Sequence, residues 1–309
     1  MMKNYYRIML GAKSKYAEDC LKGNYIGVDY GIDEDLSNNL PEAWREFNQK
    51  YIPLYLATHP DKKKVAAGLA CATVWVISKG IIKGDIVLCP DGTGNYLVGE
   101  ITGNYYHMLN EPLQHRRPVK WYSETIARSA MSESLQNSTG SIGTYGTITR
   151  FSEEIEKLIG GGAPTKISTN DPTIEDASEF ALERHLEDFL VQNWNQTELG
   201  KKYDIYTVDG ELVGQQYPSD TGPMDILAIS KDKKELLVVE LKKGRASDNV
   251  VGQVQRYMGY ALEELAEEGQ IVKGVIIALE DDIRIHRALS VTSNIEFYRY
   301  QVSFKLFKG

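Results

Sequence analysis

Residues 222–260 read GPMDILAISKDKKELLVVELKKGRASDNVVGQVQRYMGY. Two apolar runs, Asp225 to Ile229 and Leu236 to Leu241, flank the polar turn Ser230-Lys231-Asp232-Lys233-Lys234. That pattern predicts a β-hairpin. Val250 to Gly269 predicts a helix that ends at a glycine, and Gly274 to Leu279 a buried strand. Ile295 to Leu306 predicts a last strand region. Upstream, Ala177 to Trp194 has Phe180, Leu182, Leu186, Phe189 and Leu190 at the spacing of one apolar helix face. Gln215-Gln216-Tyr217-Pro218 is a short strand candidate. Helix, strands, helix, strand, strand is the order of an α/β core.

The hairpin carries the chemistry. Asp225 heads one strand and Glu240-Leu241-Lys242 closes the next, with 14 residues between Asp225 and Glu240. The turn brings these strand ends to the same side of a sheet. Glu240 and Lys242 share a face, because strand side chains alternate with period two. Two converging carboxylates can hold Mg²⁺ through oxygen ligands. A neighbouring Lys can orient an attacking water, and the set meets the needs of phosphodiester hydrolysis. Asp61-Lys62-Lys63 and Asp232-Lys233-Lys234 repeat the acid-x-Lys pattern, but only Glu240-Leu241-Lys242 both follows an apolar strand and has an acid at the head of the strand before it.

This stretch resembles the PD-(D/E)xK nuclease superfamily, and more narrowly the C-terminal domain of NucS-like endonucleases. The resemblance spans roughly 177–306. It implies a metal-dependent nuclease in which Asp225, Glu240 and the Leu241 carbonyl hold the ion and Lys242 positions water. Gln253 and Tyr257 match the family's Gln-x-x-x-Tyr helix element, four residues apart on one face. The family also carries an acid on the preceding helix. Glu183 is the best match, and Glu179 and Glu187 stay open as alternatives. One departure is Met224, where the family has Pro; Pro223 stands one place earlier. Lys243 and Arg245 follow the motif and are candidate phosphate contacts.

The N-terminal half reads as mixed α and β. A helix starts at Pro41 to Asn48. Lys64 to Ile77 reads as a helix running into a strand. Asp85–Cys89 and Tyr96–Ile101 flank the turn Asp91–Asn95 as a hairpin. Val119–Tyr122 and Gly143–Phe151 are further strand candidates. Val98-Gly99-Glu100-Ile101, Tyr105-Tyr106 and His115-Arg116-Arg117-x-Val119-x-Trp121 resemble EVE-like domains of the PUA superfamily. That resemblance implies an α+β barrel that holds a flipped-out modified base in an aromatic pocket. Tyr30, Trp75, Tyr105, Tyr106 and Trp121 are the cage candidates. His115, Arg116, Arg117 and Lys120 form the densest basic cluster and are expected to face phosphates, with Lys62, Lys63 and Lys64 a second group.

The boundary between the halves is Gly160-Gly161-Gly162-Ala163-Pro164, a break in any regular element. It divides the chain into a recognition domain at 1–159, a linker at 160–176 and a nuclease domain at 177–309. Residues 1–160 hold 18 basic and 18 acidic side chains, and residues 161–309 the remaining 17 and 25. The net charge of −8 does not advertise a nucleic-acid partner by bulk attraction. The longest apolar stretch, Val65 to Ile77, is too short to span a membrane. No signal-peptide pattern is seen, and three dispersed cysteines read as reduced thiols in the cytoplasm. No P-loop or zinc spacing is present.

The expectation from these readings is a two-domain endonuclease dependent on Mg²⁺ or Mn²⁺. Its partner is double-stranded DNA, with modified cytosine as the recognised feature. It is expected to act as a homodimeric, modification-dependent restriction enzyme in defence against foreign DNA. One alternative is a NucS-like structure-specific or mismatch repair endonuclease. Another is a non-catalytic DNA- or RNA-binding protein.

Overall fold

A computed structural model describes residues 3–140, 144–160 and 186–301. The chain divides into two units, Met1–Thr173 and Ile174–Gly309. Among the described residues no helix is long and apolar enough to cross a membrane. Cys20, Cys71 and Cys89 are buried and form no disulfide.

The N-terminal unit is built on strands β1 (Tyr5–Ile8), β2 (Tyr25–Val28), β3 (Ile86–Pro90), β4 (Asn95–Ile101), β5 (Tyr106–His107), β6 (His115–Trp121), β7 (Ile126–Ala127) and β8 (Tyr145–Thr147). The sheet runs β2-β6-β4-β3-β1-β8, with β5 on β6 and β7 on β4. It is a curled half-barrel whose path does not close among the described residues. β1 and β3 are parallel, and the other pairs are antiparallel. Alternation sends Ile8, Val87, Cys89, Leu97 and Ile101 to one core, with the helices Trp44–Thr58 and Lys64–Trp75. Tyr5, Ile86, Leu88, Tyr96 and Val98 go to the other, with Leu135, Phe151 and Ile155. The β3–β4 turn needs its glycines, because Gly92 and Gly94 have φ of 84° and 99°. Asp91 closes that turn by accepting the N–H groups of Thr93 and Asn95.

Three N-terminal expectations are corrected. Lys64 to Ile77 does not run into a strand. The helix Lys64–Trp75 continues into a π-helical turn, Val76–Gly80, whose carbonyls at Ile77 and Ser78 accept from Arg117. A cation at the last turn of a helix meets its negative end. The strand predicted at Gly143–Phe151 is only β8; the chain then turns through Thr149–Phe151 into the helix Ser152–Ile159. The strand predicted at Val119 begins earlier, at His115.

The C-terminal unit holds β9 (Tyr203–Ile205), β10 (Thr207–Val208), β11 (Glu211–Leu212), β12 (Gln215–Tyr217), β13 (Met224–Ser230), β14 (Glu235–Arg245), β15 (Ile271–Glu280) and β16 (Ile295–Arg299). Its sheet runs β12-β13-β14-β15-β16, with β9 on β13, while β10 and β11 form a separate ribbon. It is mixed: β12–β13 and β13–β14 are antiparallel, β14–β15 and β15–β16 parallel. On one face Ile226, Ala228, Leu237, Val239, Leu241, Val275 and Ile277 form the core with Trp194, and Leu186 and Leu190 of the helix at 186–192 pack on it. The helix Asn249–Tyr260 buries Val254, Tyr257 and Met258. A Cβ on Gly274 would stand 2.6 Å from both Val254 and Met258, so the absence of a side chain there lets this helix close on β15.

The helix predicted to reach Gly269 stops as an α-helix at Tyr260 and ends in a π-helical turn, Ala261–Leu265. Phe189, expected on the buried face of its helix, is exposed. Phe180 and Leu182 lie outside the described residues, as does the end of the strand region predicted to Leu306.

Candidate active site

Ile226 pairs with Val239 across the β13–β14 hairpin. One residue further along, Asp225 therefore stands opposite Glu240. Lys242 Nζ donates to Glu240 Oε1 at 3.0 Å, so the two residues share a face as alternation requires. The Glu240 side chain is 3% exposed and that of Lys242 30%. Asp225 accepts from the Leu241 N–H at 2.8 Å through one oxygen and from Gln216 Nε2 at 3.1 Å through the other.

Tyr257 closes the group from the helix Asn249–Tyr260. Burial first, then the negative charges of Glu240 and Asp225, raise its phenol above the ordinary value. The bond from Gln253 and the charge of Lys242 pull the other way. Gln253 Nε2 lies 3.4 Å from the Tyr257 hydroxyl. A Cβ on Gly222 would come within 3.2 Å of that hydroxyl, so this loop position leaves space for the ring. The structure thus brings together Asp225, Glu240, Lys242 and Tyr257, with Leu241 contributing backbone and Gln253 leaning on Tyr257.

Glu183 and Glu179 lie outside the described residues. Glu187 is described and buried. Its carboxylate accepts from Gln215 Nε2 at 2.7 Å and from Gln216 Nε2 at 2.6 Å. Gln215 also reaches Asp188 at 2.9 Å. In the sequence these two glutamines read only as part of a short strand. The available signal was a pair of amides on the short strand just before the Asp225 strand. Lys243 is half-buried and Arg245 exposed beside the motif.

The N-terminal basic cluster is a correction. His115, Arg116 and Arg117 are 0%, 5% and 5% exposed and face protein atoms. Arg116 donates to the carbonyls of Leu113 and Pro112 and to Glu111, and its guanidinium lies over the Tyr25 ring. Arg117 donates to Ile77, Ser78 and Gly103, and burial pushes it down to about 10. His115 Nε2 lies 2.6 Å from the Ile32 carbonyl, which can only accept. Nε2 therefore carries the hydrogen, and Nδ1 accepts from the Tyr105 hydroxyl at 2.8 Å. Of the four residues only Lys120 is exposed.

The aromatic candidates are half-buried and engaged. The Tyr105 hydroxyl also accepts from the Leu36 N–H, Trp121 Nε1 donates to the Cys20 carbonyl, and the Tyr30 hydroxyl bonds Thr144. Trp75 packs edge-on to Phe47 and tilted to Trp44. Tyr106 is half-buried beside Arg116.

Asp225, Glu240 and the Leu241 carbonyl are hard oxygen donors, the set that suits Mg²⁺ or Mn²⁺. Among the described residues no group of three or more His, Cys, Asp or Glu side chains is gathered to hold an ion. The fit is therefore one of donor chemistry at a pair of carboxylates.

A mixed sheet with an Asp and a Glu-x-Lys at adjoining strand ends, covered by a helix, has the features of the PD-(D/E)xK class. Residues 182–303 match the family described as Endonuclease NucS C-terminal domain. The C-terminal unit is thus a NucS-like domain of that class. Residues 6–152 match a family described as a domain of unknown function, DUF8426. No curated protein matches the chain. A crystal structure of a repair endonuclease from Pyrococcus abyssi is similar at 15% identity and TM-score 0.31, covering 69% of this chain and 66% of that one. An EndoMS–dsDNA2 complex is similar at 15% and 0.31, covering 68% and 63%. EndoMS in apo form stands at 15% and 0.30, covering 68% and 62%. The chain spans just under two thirds of the length of these structures.

Proposed function

We propose that the protein is a metal-dependent, structure-specific DNA endonuclease of the NucS-like kind. The observation that carries this reading is Asp225 opposite Glu240, with Lys242 hydrogen-bonded to Glu240, inside a region that matches an endonuclease domain. Two carboxylates on adjoining strand ends offer hard oxygen donors, the kind of ligand that Mg²⁺ and Mn²⁺ take.

Asp225 is oriented by the Leu241 N–H and the Gln216 amide, which fixes how its carboxylate is presented to a cation. Glu240 faces the same space from β14. Asp225, Glu240 and the Leu241 carbonyl would hold Mg²⁺ or Mn²⁺, which when bound would supply Lewis-acid polarisation of the scissile phosphate. Lys242 orients the attacking water and offsets the negative charge that develops on the phosphate. Tyr257 and Gln253 border the reacting group, and Lys243, Arg245 and Lys120 bind backbone phosphates. One site per chain and two strands to cut imply two copies on a duplex.

Structure-specific cutting is favoured over recognition of modified cytosine. A base cage needs accessible aromatic faces, whereas Tyr30, Tyr105 and Trp121 are tied to protein atoms and half-buried. The test is cleavage of matched, mismatched, branched, methylcytosine and hydroxymethylcytosine duplexes with Mg²⁺ or Mn²⁺. EDTA and Glu240→Gln are the controls. Cutting of mismatched or branched DNA, lost in both controls, is expected. Cutting confined to modified DNA would return the restriction role and an EVE-like N-terminal unit. No metal-dependent cutting of any duplex would defeat the reading.

A further inference from the structure

The carboxylates of the site come from separate elements, and their spacing has to be held by uncharged donors if a cation is to bind among them. Gln216 meets that need. Its one amide nitrogen donates to Glu187 Oε2 at 2.6 Å and to Asp225 Oδ1 at 3.1 Å. An amide NH₂ offers two hydrogens and no charge, so it bonds both carboxylates and neutralises neither. A lysine in its place would compete with the cation.

The surroundings are arranged for the same end. Gln215 holds the other Glu187 oxygen, and the Leu241 N–H holds the other Asp225 oxygen. Gln216 takes a left-handed φ of 52°, uncommon for a residue with a side chain. That turn breaks the alternation of β12, so that both neighbouring amides reach Glu187. Such local departures cluster where geometry serves a site.

We propose that Gln216 is a positioning residue: it couples the buried Glu187 to Asp225 and thereby fixes where the Asp225 carboxylate stands in the site. The proposal rests on the endonuclease reading above.

Gln216→Leu removes both donors at similar volume. On whichever duplex the wild type cuts, kcat is expected to fall by roughly 10- to 100-fold, with KM for DNA and the melting temperature little changed. Gln216→Asn tolerates the left-handed backbone and keeps an amide one carbon short; it is expected to lose less. The double variant Gln216→Leu/Glu187→Gln should be no slower than the slower single variant, because the two residues act as one unit. Mn²⁺ titration of the DNA-free chain by electron paramagnetic resonance should show weaker binding in Gln216→Leu. Wild-type kcat and wild-type Mn²⁺ affinity in both Gln216 variants would overturn the proposal. Losses that multiply in the double variant would overturn the coupling. If the wild type cuts nothing, the endonuclease reading fails, and the Mn²⁺ titration alone decides the role of Gln216.

Discussion

Both units place charged side chains on strands, yet to opposite ends. On β6, His115, Arg116 and Arg117 are buried and bonded chiefly to backbone carbonyls. On β13 and β14, Asp225 and Glu240 stand opposite each other, both carboxylates, with Lys242 and Gln216 beside them. The first arrangement matches donors to acceptors and serves the fold. The second sets two carboxylates side by side, with Lys242 donating to Glu240 and the Leu241 N–H and Gln216 to Asp225. The kind of partner, rather than burial, separates a brace from a site.

Removing the site carboxylates should separate the two roles most sharply. Asp225→Asn or Glu240→Gln is expected to lower kcat on the order of 10³-fold, while the melting temperature holds or rises. Duplex cleavage and a thermal melt on the same preparation check both halves. A fall in melting temperature with full activity would reverse the assignment.

The brace makes the converse prediction. Arg117→Met leaves the Ile77 and Ser78 carbonyls without that donor. Urea unfolding should show a loss of about 3 kcal/mol, since buried acceptors stripped of a charged donor are costly. Mn²⁺ binding by the chain should not change.

His115 adds a pH dependence to the brace. Burial, foremost, and the neighbouring His107 lower its affinity for a proton, against the bond to Ile32. Below about pH 6.5 the unfolded chain takes up a proton that folded His115 resists. Its contribution to stability is therefore complete above that pH and declines as pH falls towards the lowered folded value. Melting temperatures between pH 7.5 and 5.5 should show this slope, and His115→Gln should flatten it.

The smallest effect belongs to an ordinary pair. Lys273 Nζ lies 2.8 Å from Glu235, which also accepts from the Tyr203 hydroxyl. The pair is partly exposed, so Lys273→Met should cost about 0.5 kcal/mol in urea unfolding and nothing in cleavage.

What was legible in the sequence follows the range of the interaction. The β13–β14 hairpin and the shared face of Glu240 and Lys242 follow from apolar alternation and one polar turn. The pairing of Gln253 with Tyr257 follows from helical spacing. These depend on neighbours a few residues apart, and the chain itself carries them. Lys64 to Ile77 reads as a helix running into a strand because an apolar run with β-branched residues at its end fits either element. Its last carbonyls, at Ile77 and Ser78, are bonded by Arg117, about forty residues further along the chain.

The sequence by itself determined the α/β hairpin core and the acid, acid and lysine of the candidate site, because strand alternation and turn chemistry are local. Only the tertiary structure decided which charges face protein and which face one another. His115-Arg116-Arg117 looks like a solvated basic cluster until β2, β5 and the π-helical turn close over β6. Gln216 looks like a strand residue until antiparallel register sets it beside Asp225 and a separate helix delivers Glu187. A side chain's partners are fixed by packing among distant segments, and that information is not held in any one stretch of chain.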